Sequence, residues 1–253
     1  MLSPITTHLN LPAGKFPTPI TAPVYRSCTM QEAVEHFNLP RLADLQTDHM
    51  THQQRAHFQA MLNRVTNWRA ECRERPGLSF LLMSKQVGIG KTHIARAVVS
   101  SFSHVVGEWA FMDDQPQFSL EKKARLLTAR ELINQLGGDD MRPVWEIVPT
   151  FVNALVIDDL GREGYLDFVK ADQQAAEKQA RYFHLINHIY QRQQQGRYPV
   201  SLFITTNLDE AGCKDLLGEA NWSRLLEMCP RGYIVELSGL DDYRPIKSGR
   251  KPQ

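Results

Sequence analysis

Cysteine is scarce in this 253-residue sequence, and the four present stand far apart: Cys28, Cys72, Cys213 and Cys229. No Cys-x-x-Cys pair occurs, which argues against a zinc ribbon or a disulfide framework. The pattern reads as reduced thiols in a cytoplasmic protein. Long apolar runs are missing too. None approaches the ~20 residues that span a bilayer. The N-terminus lacks the basic start and apolar core of a secretory signal, so no membrane partner is expected. Charge of one sign is also lacking: 29 Lys and Arg face 28 Asp and Glu, a net of +1. That excludes a general polycation but not a local basic surface. At this length a full core can be buried without staples.

Proline and the apolar residues set the organisation. Residues 1–28 contain Pro4, Pro12, Pro17, Pro19 and Pro23, which bar both helix and central strand. They read as an extended stretch, followed by a short helix over 29–37 with Thr29 as N-cap. Together, 1–37 form an N-terminal arm, a candidate docking element. Over 51–75, Phe58, Met61, Leu62, Val65 and Trp68 recur at helical spacing. Arg55, Arg64, Arg69, Arg73 and Arg75 occupy the rest as a solvated face, and Pro76-Gly77 ends the helix. Strands and helices then alternate. Strands are predicted at Ser79–Met83, Ala124–Thr128, Ala154–Ile157, Leu202–Thr206 and Tyr233–Leu237. Helices are predicted at Lys91–Ser101, Ala129–Leu136 and Ala176–Gln193. Short apolar strands separated by helices imply an α/β three-layer sandwich, a five-stranded parallel sheet flanked by helices.

Chemistry enters at the turn after the first strand, Ser84-Lys85-Gln86-Val87-Gly88-Ile89-Gly90-Lys91-Thr92. Between a strand and a helix, this is a phosphate-binding loop. Its backbone N–H groups can surround a phosphate at the helix N-terminus, with Lys91 reaching the β- and γ-phosphates and Thr92 ligating Mg²⁺. One position departs from GxxxxGK[ST]: Lys85 stands where the first glycine belongs. If that position needs a positive φ, lysine costs on the order of 1 kcal/mol or more. The third strand ends in Asp158 and Asp159, at the end of a parallel sheet where ligands bind. Asp158 suits Mg²⁺, and Asp159 suits the attacking water. The fourth strand ends Thr205-Thr206-Asn207, and the Asn207 amide can hold that water. Arg224 and Arg244 are candidate charge-stabilising arginines. Asp158, Asp159 and Glu163 together suggest an acidic crevice. His184 and His188 share a helix face without a third ligand, so they read as packed or solvated side chains.

The order of these motifs, namely the P-loop, Ile157–Gly161 (IDDLG), Thr205–Asn207 (TTN), Ser223–Leu225 (SRL) and a late Tyr243-Arg244, resembles the AAA+ ATPases of the DnaC/DnaI/IstB group. These are replicative helicase loaders and transposition helpers. The resemblance covers about residues 38–245, with a basic tail over 246–253. Leu39-Pro40-Arg41-Leu42 and Asp44-Leu45 are similar to the group's lead-in, and Leu127–Leu132 to its second-strand segment. The resemblance implies nucleotide binding by Val87, Gly88, Ile89, Gly90, Lys91, Thr92 and His93, with Mg²⁺ on Thr92 and Asp158. It makes Asp159, Asn207, Arg224 and Arg244 catalytic. Arg224 would be the finger given to a neighbouring subunit, and Arg244 a sensor 2 type arginine.

The implied function is a slow, partner-stimulated ATPase of DNA replication that loads or remodels a replicative DNA helicase. It would self-associate through the ATP interface and contact single-stranded DNA. An IstB-like transposition helper and a nucleotide-gated adaptor with little hydrolysis are the alternatives. The sequence departs from the group at Lys85 and at Ile189-Tyr190, where the group often has Arg-Tyr. It also has Asp159 where fast AAA+ ATPases have glutamate.

Overall fold

The computed structural model describes residues 25–27, 40–45, 47–109, 116–137, 143–150, 152–166, 169–240 and 242. The predicted helix over 29–37, Cys28, Arg244 and the basic tail lie outside the described residues.

In chain order the strands are β1 (Tyr25–Ser27), β2 (Phe80–Met83), β3 (Ser103–Trp109), β4 (Pro116–Lys122), β5 (Ala124–Thr128), β6 (Ala154–Leu160), β7 (Ser201–Thr206) and β8 (Ile234–Glu236). The helices are α1 (His52–Glu74), α2 (Lys91–Ser101), α3 (Ala129–Gln135), α4 (Val144–Ile147), α5 (Gln174–Gln194), α6 (Glu210–Leu217) and α7 (Glu219–Met228). Five strands form one parallel sheet in the order β5-β6-β7-β2-β8, flanked by helices. This is the α/β layering expected from the sequence. Strand β7 lies between β2 and β6, so the ends of the P-loop strand, the Asp-Asp strand and the Thr-Thr-Asn strand are neighbours. Their C-terminal ends make the ligand crevice of such a sheet.

A second sheet was not expected. Strands β3 and β4 form an antiparallel pair, and β1 joins β3, with Tyr25 opposite Glu108 and Ser27 opposite Val106. The run 103–109 carries a glycine and 116–122 starts on a proline, both of which weaken a strand pattern in sequence. At the far end, Tyr233 sits in a 3₁₀ turn instead of the predicted strand, closed by its N–H on Pro230 O at 2.7 Å.

Helix α1 starts on a capping box: Thr51 Oγ1 accepts from Gln54 N–H, and Gln54 Oε1 accepts from Thr51 N–H. Its buried face is Phe58, Met61, Leu62, Val65, Trp68 and Cys72. Trp68 is fully buried and touches Phe203 (5.4 Å between ring centroids), Phe80 (5.9 Å) and Phe102 (6.0 Å). Its indole N–H donates to Leu78 O at 3.1 Å. Phe80 and Phe203 stack at 5.1 Å, which joins β2 to β7 under the helix. One arginine of the supposedly solvated face is structural. Arg69 lies 3.7 Å over the Phe102 ring and donates to Ser101 Oγ and Ser101 O. Cys72, Cys213 and Cys229 are free and buried, and burial pushes their thiols up to about 11, 11 and 12. They are inert packing groups.

Candidate nucleotide-binding site

The candidate phosphate loop leaves β2 at Met83. Ser84 N–H still donates to Thr206 O at 3.0 Å, so the β2–β7 ladder runs into the loop. Gly90 is the N-cap of α2 with φ 91° and ψ 12°, a left-handed conformation that glycine alone adopts without cost. A Cβ there would also meet Leu45 Cδ2 at 3.0 Å. Val87 is exposed, Ile89 is buried, and Gly88 is left-handed (φ 74°). Lys91 is buried and donates to Ser84 O (3.0 Å) and Gln86 O (2.6 Å), so its ammonium lies inside the curl of its own loop. Thr92 is exposed on the first turn of α2. His93 Nε2 donates to Arg41 O at 2.8 Å, which fixes the proton on that nitrogen and ties the lead-in segment to the helix start.

Lys85 needs no strained backbone. Among the described residues, the non-glycine positions with positive φ are Asp159 and Tyr198. The missing glycine therefore carries no conformational cost here. The Lys85 ammonium instead reaches Asp209 Oδ2 at 2.7 Å. Asp209 is the N-cap of α6, its Oδ1 accepting from Gly212 N–H at 2.9 Å. The P-loop is thus bridged to the segment just after Asn207.

The two acids sit differently. Asp158 is buried, and its Oδ1 accepts the Thr205 hydroxyl at 2.5 Å. Asp159 is half-exposed and left-handed, with φ 59°. Between Ile157 and Leu160 the β6–β7 register shifts by one extra residue, a bulge that holds both acids. Strand β7 secures it with two hydroxyls. Thr205 Oγ1 accepts from Asp159 N–H at 3.0 Å, and the Thr206 hydroxyl donates to Leu160 O at 2.7 Å. Asn207 Nδ2 donates to Asp159 Oδ1 at 3.3 Å, and Arg162 Nη1 lies 3.8 Å from Asp159 Oδ2. Only the amide NH₂ can face a carboxylate, so Asn207 Oδ1 is turned the other way; it is buried and has no hydrogen-bond partner.

Other residues singled out in the sequence make different contacts. Arg224 joins none of these contacts. Its guanidinium lies 5.1 Å over Phe183, and its Nη1 is buried without a hydrogen-bond partner. Tyr190, at the Ile189-Tyr190 departure, donates to Glu227 Oε2 at 2.6 Å within the same chain. Glu163, read as part of an acidic crevice, is instead 2% exposed. Its Oε1 accepts from Gly161 N–H and from the Tyr182 hydroxyl. Burial comes first in driving the Tyr182 hydroxyl well above its ordinary range, with the Glu163 charge adding to it. No local spacing signals that pair, because Tyr182 reads simply as part of the apolar face of α5. His188 is half-buried, and burial lowers its pKa. Among the described residues no group of three His, Cys, Asp or Glu side chains gathers that could hold a metal.

The donors present fit a magnesium nucleotide. Thr92 and Asp158 offer hard oxygen ligands, with one Asp158 oxygen already fixed by Thr205. The unpaired buried Oδ1 of Asn207 is an acceptor waiting for an O–H donor, as a water would supply.

The topology defines an α/β fold, a five-stranded parallel sheet flanked by helices, of the kind found in AAA+ proteins of known structure. The crystal structure of the DnaC helicase loader is similar to this chain, with a TM-score of 0.50 and 16% identity over 81% of this chain and 99% of that one. A crystal structure of DnaI is similar at 17% identity, TM-score 0.44, over 80% of this chain and 89% of that one. No protein-family model and no curated protein matches by sequence. The likeness to the DnaC loader establishes the fold. No helix among the described residues is long and apolar enough to cross a membrane.

Proposed function

We propose that this chain is an ATP-hydrolysing AAA+ protein that loads or remodels a replicative DNA helicase. One observation supports the reading: the loop that leads to Lys91, the Asp158-Asp159 turn and Asn207 follow the ends of three adjacent strands, and Asn207 reaches Asp159. The backbone of residues 87–93 and the Lys91 ammonium bind the phosphates. Thr92 and Asp158 hold Mg²⁺, which neutralises phosphate charge when bound. Asn207 Oδ1 accepts one hydrogen of the attacking water and orients it. Asp159 takes the proton of that water as general base.

Arg224 serves a neighbouring copy, so the working form is an assembly with ATP between subunits, and Arg244 adds a further charge contact. Turnover is slow, below about 10 s⁻¹, and rises with helicase and single-stranded DNA. The arm over 1–37 docks the helicase, and the protein works in the cytoplasm. The helicase assignment is supported by fold likeness to a protein described as a helicase loader, together with the motif order.

The test is a pull-down from the native host with wild type and Lys91→Ala. Wild type should retain the replicative helicase in a nucleotide-dependent way, and Lys91→Ala should lose that dependence. Removing residues 1–37 should abolish capture while ATP binding persists. Recovery of a transposase in place of a helicase would transfer the protein to the transposition role. Failure of wild type to bind ATP would end the proposal.

A further inference from the structure

The Asp-Asp turn is conformationally expensive. Asp159 (φ 59°) and Gly161 (φ 96°) are both left-handed, with only the buried Leu160 between them. A non-glycine residue in that region costs about 1–3 kcal/mol and persists only where the surroundings over-determine it. Aspartate tolerates it better than glutamate because its short side chain bonds locally. That accounts physically for aspartate as the second acid. At Gly161 a Cβ would add a contact of 2.8 Å with Leu208 Cδ1.

The turn is gripped from two sides. On the sheet side are Thr205 and Thr206, already described. On the other side is Glu163, whose Oε1 accepts from Gly161 N–H at 2.8 Å and from the Tyr182 hydroxyl at 2.6 Å. Glu163 is 2% exposed and Tyr182 1%. A buried carboxylate with two neutral donors is a costly way to fill space, and apolar packing would serve stability as well or better. What it supplies is direction. It anchors the main chain two residues after Asp159 to α5, an element outside the sheet.

We propose that Glu163, held by Tyr182, is a positioning residue that fixes the left-handed turn and so keeps the Asp159 carboxylate on Asn207. It acts through Asp159 and touches neither nucleotide nor water. The proposal rests on the reading of Asp159 as general base, and the experiment separates the two.

ATP turnover and ATP affinity are measured on the full chain for Glu163→Ala, Glu163→Gln, Tyr182→Phe and Asp159→Asn, and for the first and third combined with Asp159→Asn. Glu163→Ala and Tyr182→Phe should lower kcat about tenfold or more, with the Kd for ATP within about twofold of wild type. Glu163→Gln keeps a carbonyl acceptor for both donors and should retain most of kcat. In the Asp159→Asn background neither substitution should reduce the residual rate further, since residues acting as a unit are not additive. Tyr182→Phe removes a single hydroxyl and keeps the test open if Glu163→Ala fails to fold. Wild-type kcat in folded Tyr182→Phe, or the same fractional loss with and without Asp159, overturns the proposal. Full activity in Asp159→Asn alone overturns the general-base reading instead.

Discussion

The same two strands, β2 and β7, serve opposite purposes at their two ends. Their early residues, Phe80 and Phe203, stack beneath Trp68 in a fully buried aromatic cluster. Their late residues, Ser84 beyond β2 and Thr205, Thr206 and Asn207 at and beyond the end of β7, contribute hydroxyls, an amide and a loop. The aromatic end is non-directional and close-packed, so it answers to volume. The polar end is held by single hydrogen bonds, each of which fixes one atom. Stability and chemistry are therefore separable along one strand, a few residues apart.

The largest effect should come from the packed end. Trp68→Ala should cost about 3–5 kcal/mol of stability, read as a shift in urea midpoint. ATP affinity per folded molecule should not change; if affinity falls as well, the two ends are coupled. Next comes Asn207→Ala at the polar end. It should lower kcat about a hundredfold while leaving the denaturation midpoint near wild type. A change in the midpoint alone would assign Asn207 to structure.

Thr205→Val probes the boundary, since its hydroxyl serves Asp158 and Asp159 N–H at once. It should lose about 1–3 kcal/mol and also slow turnover, the one variant to move both readouts. Smallest is Lys85→Gly, which removes an exposed bridge; beyond the salt-independent cost of glycine's chain entropy, its effect on stability should be slight at low salt and vanish near 1 M. The pH dependence has a defined sign. Asp209 is lowered chiefly by its hydrogen bond from Lys85, so its contribution is present above about 3.8 and fades as pH falls through the folded value. Lys85 is raised chiefly by the same bond, so its share is present below 10.5 and is lost as pH rises through the folded value. The difference between wild type and Lys85→Gly should accordingly be a plateau between those limits.

Much of the layout is legible in the sequence for a simple reason. Strands buried on both faces are apolar throughout, so FLLM, ALVI and LFIT announce themselves, and acids at their ends mark the ligand side. The helix over 52–74 is legible because Phe58, Met61, Leu62, Val65 and Trp68 keep one period. What escaped depends on backbone torsion and on pairs distant in sequence. Asp159 carries no sign of its left-handed φ. Glu163 reads as one more acid near two others, because its partner lies 19 residues on, in another element. Lys85 reads as a defect in a glycine pattern, whereas its backbone is unstrained and its side chain spans to Asp209. The β1-β3-β4 sheet escaped because Gly107 and Pro116 weaken its strand signal, although 116–121 alternates apolar and polar residues.

The bulge in β6 has a consequence for how such a protein changes over generations. From Ile157 to Leu160 the strand takes three steps while β7 takes two, from Ile204 to Thr206. Loss of one codon from that interval would restore an even ladder. The shortened chain would lose the offset that separates Asp158 from Asp159, and with it the arrangement on which the proposed hydrolysis depends. On the proposed function, length at this turn matters more than residue identity in the sheet.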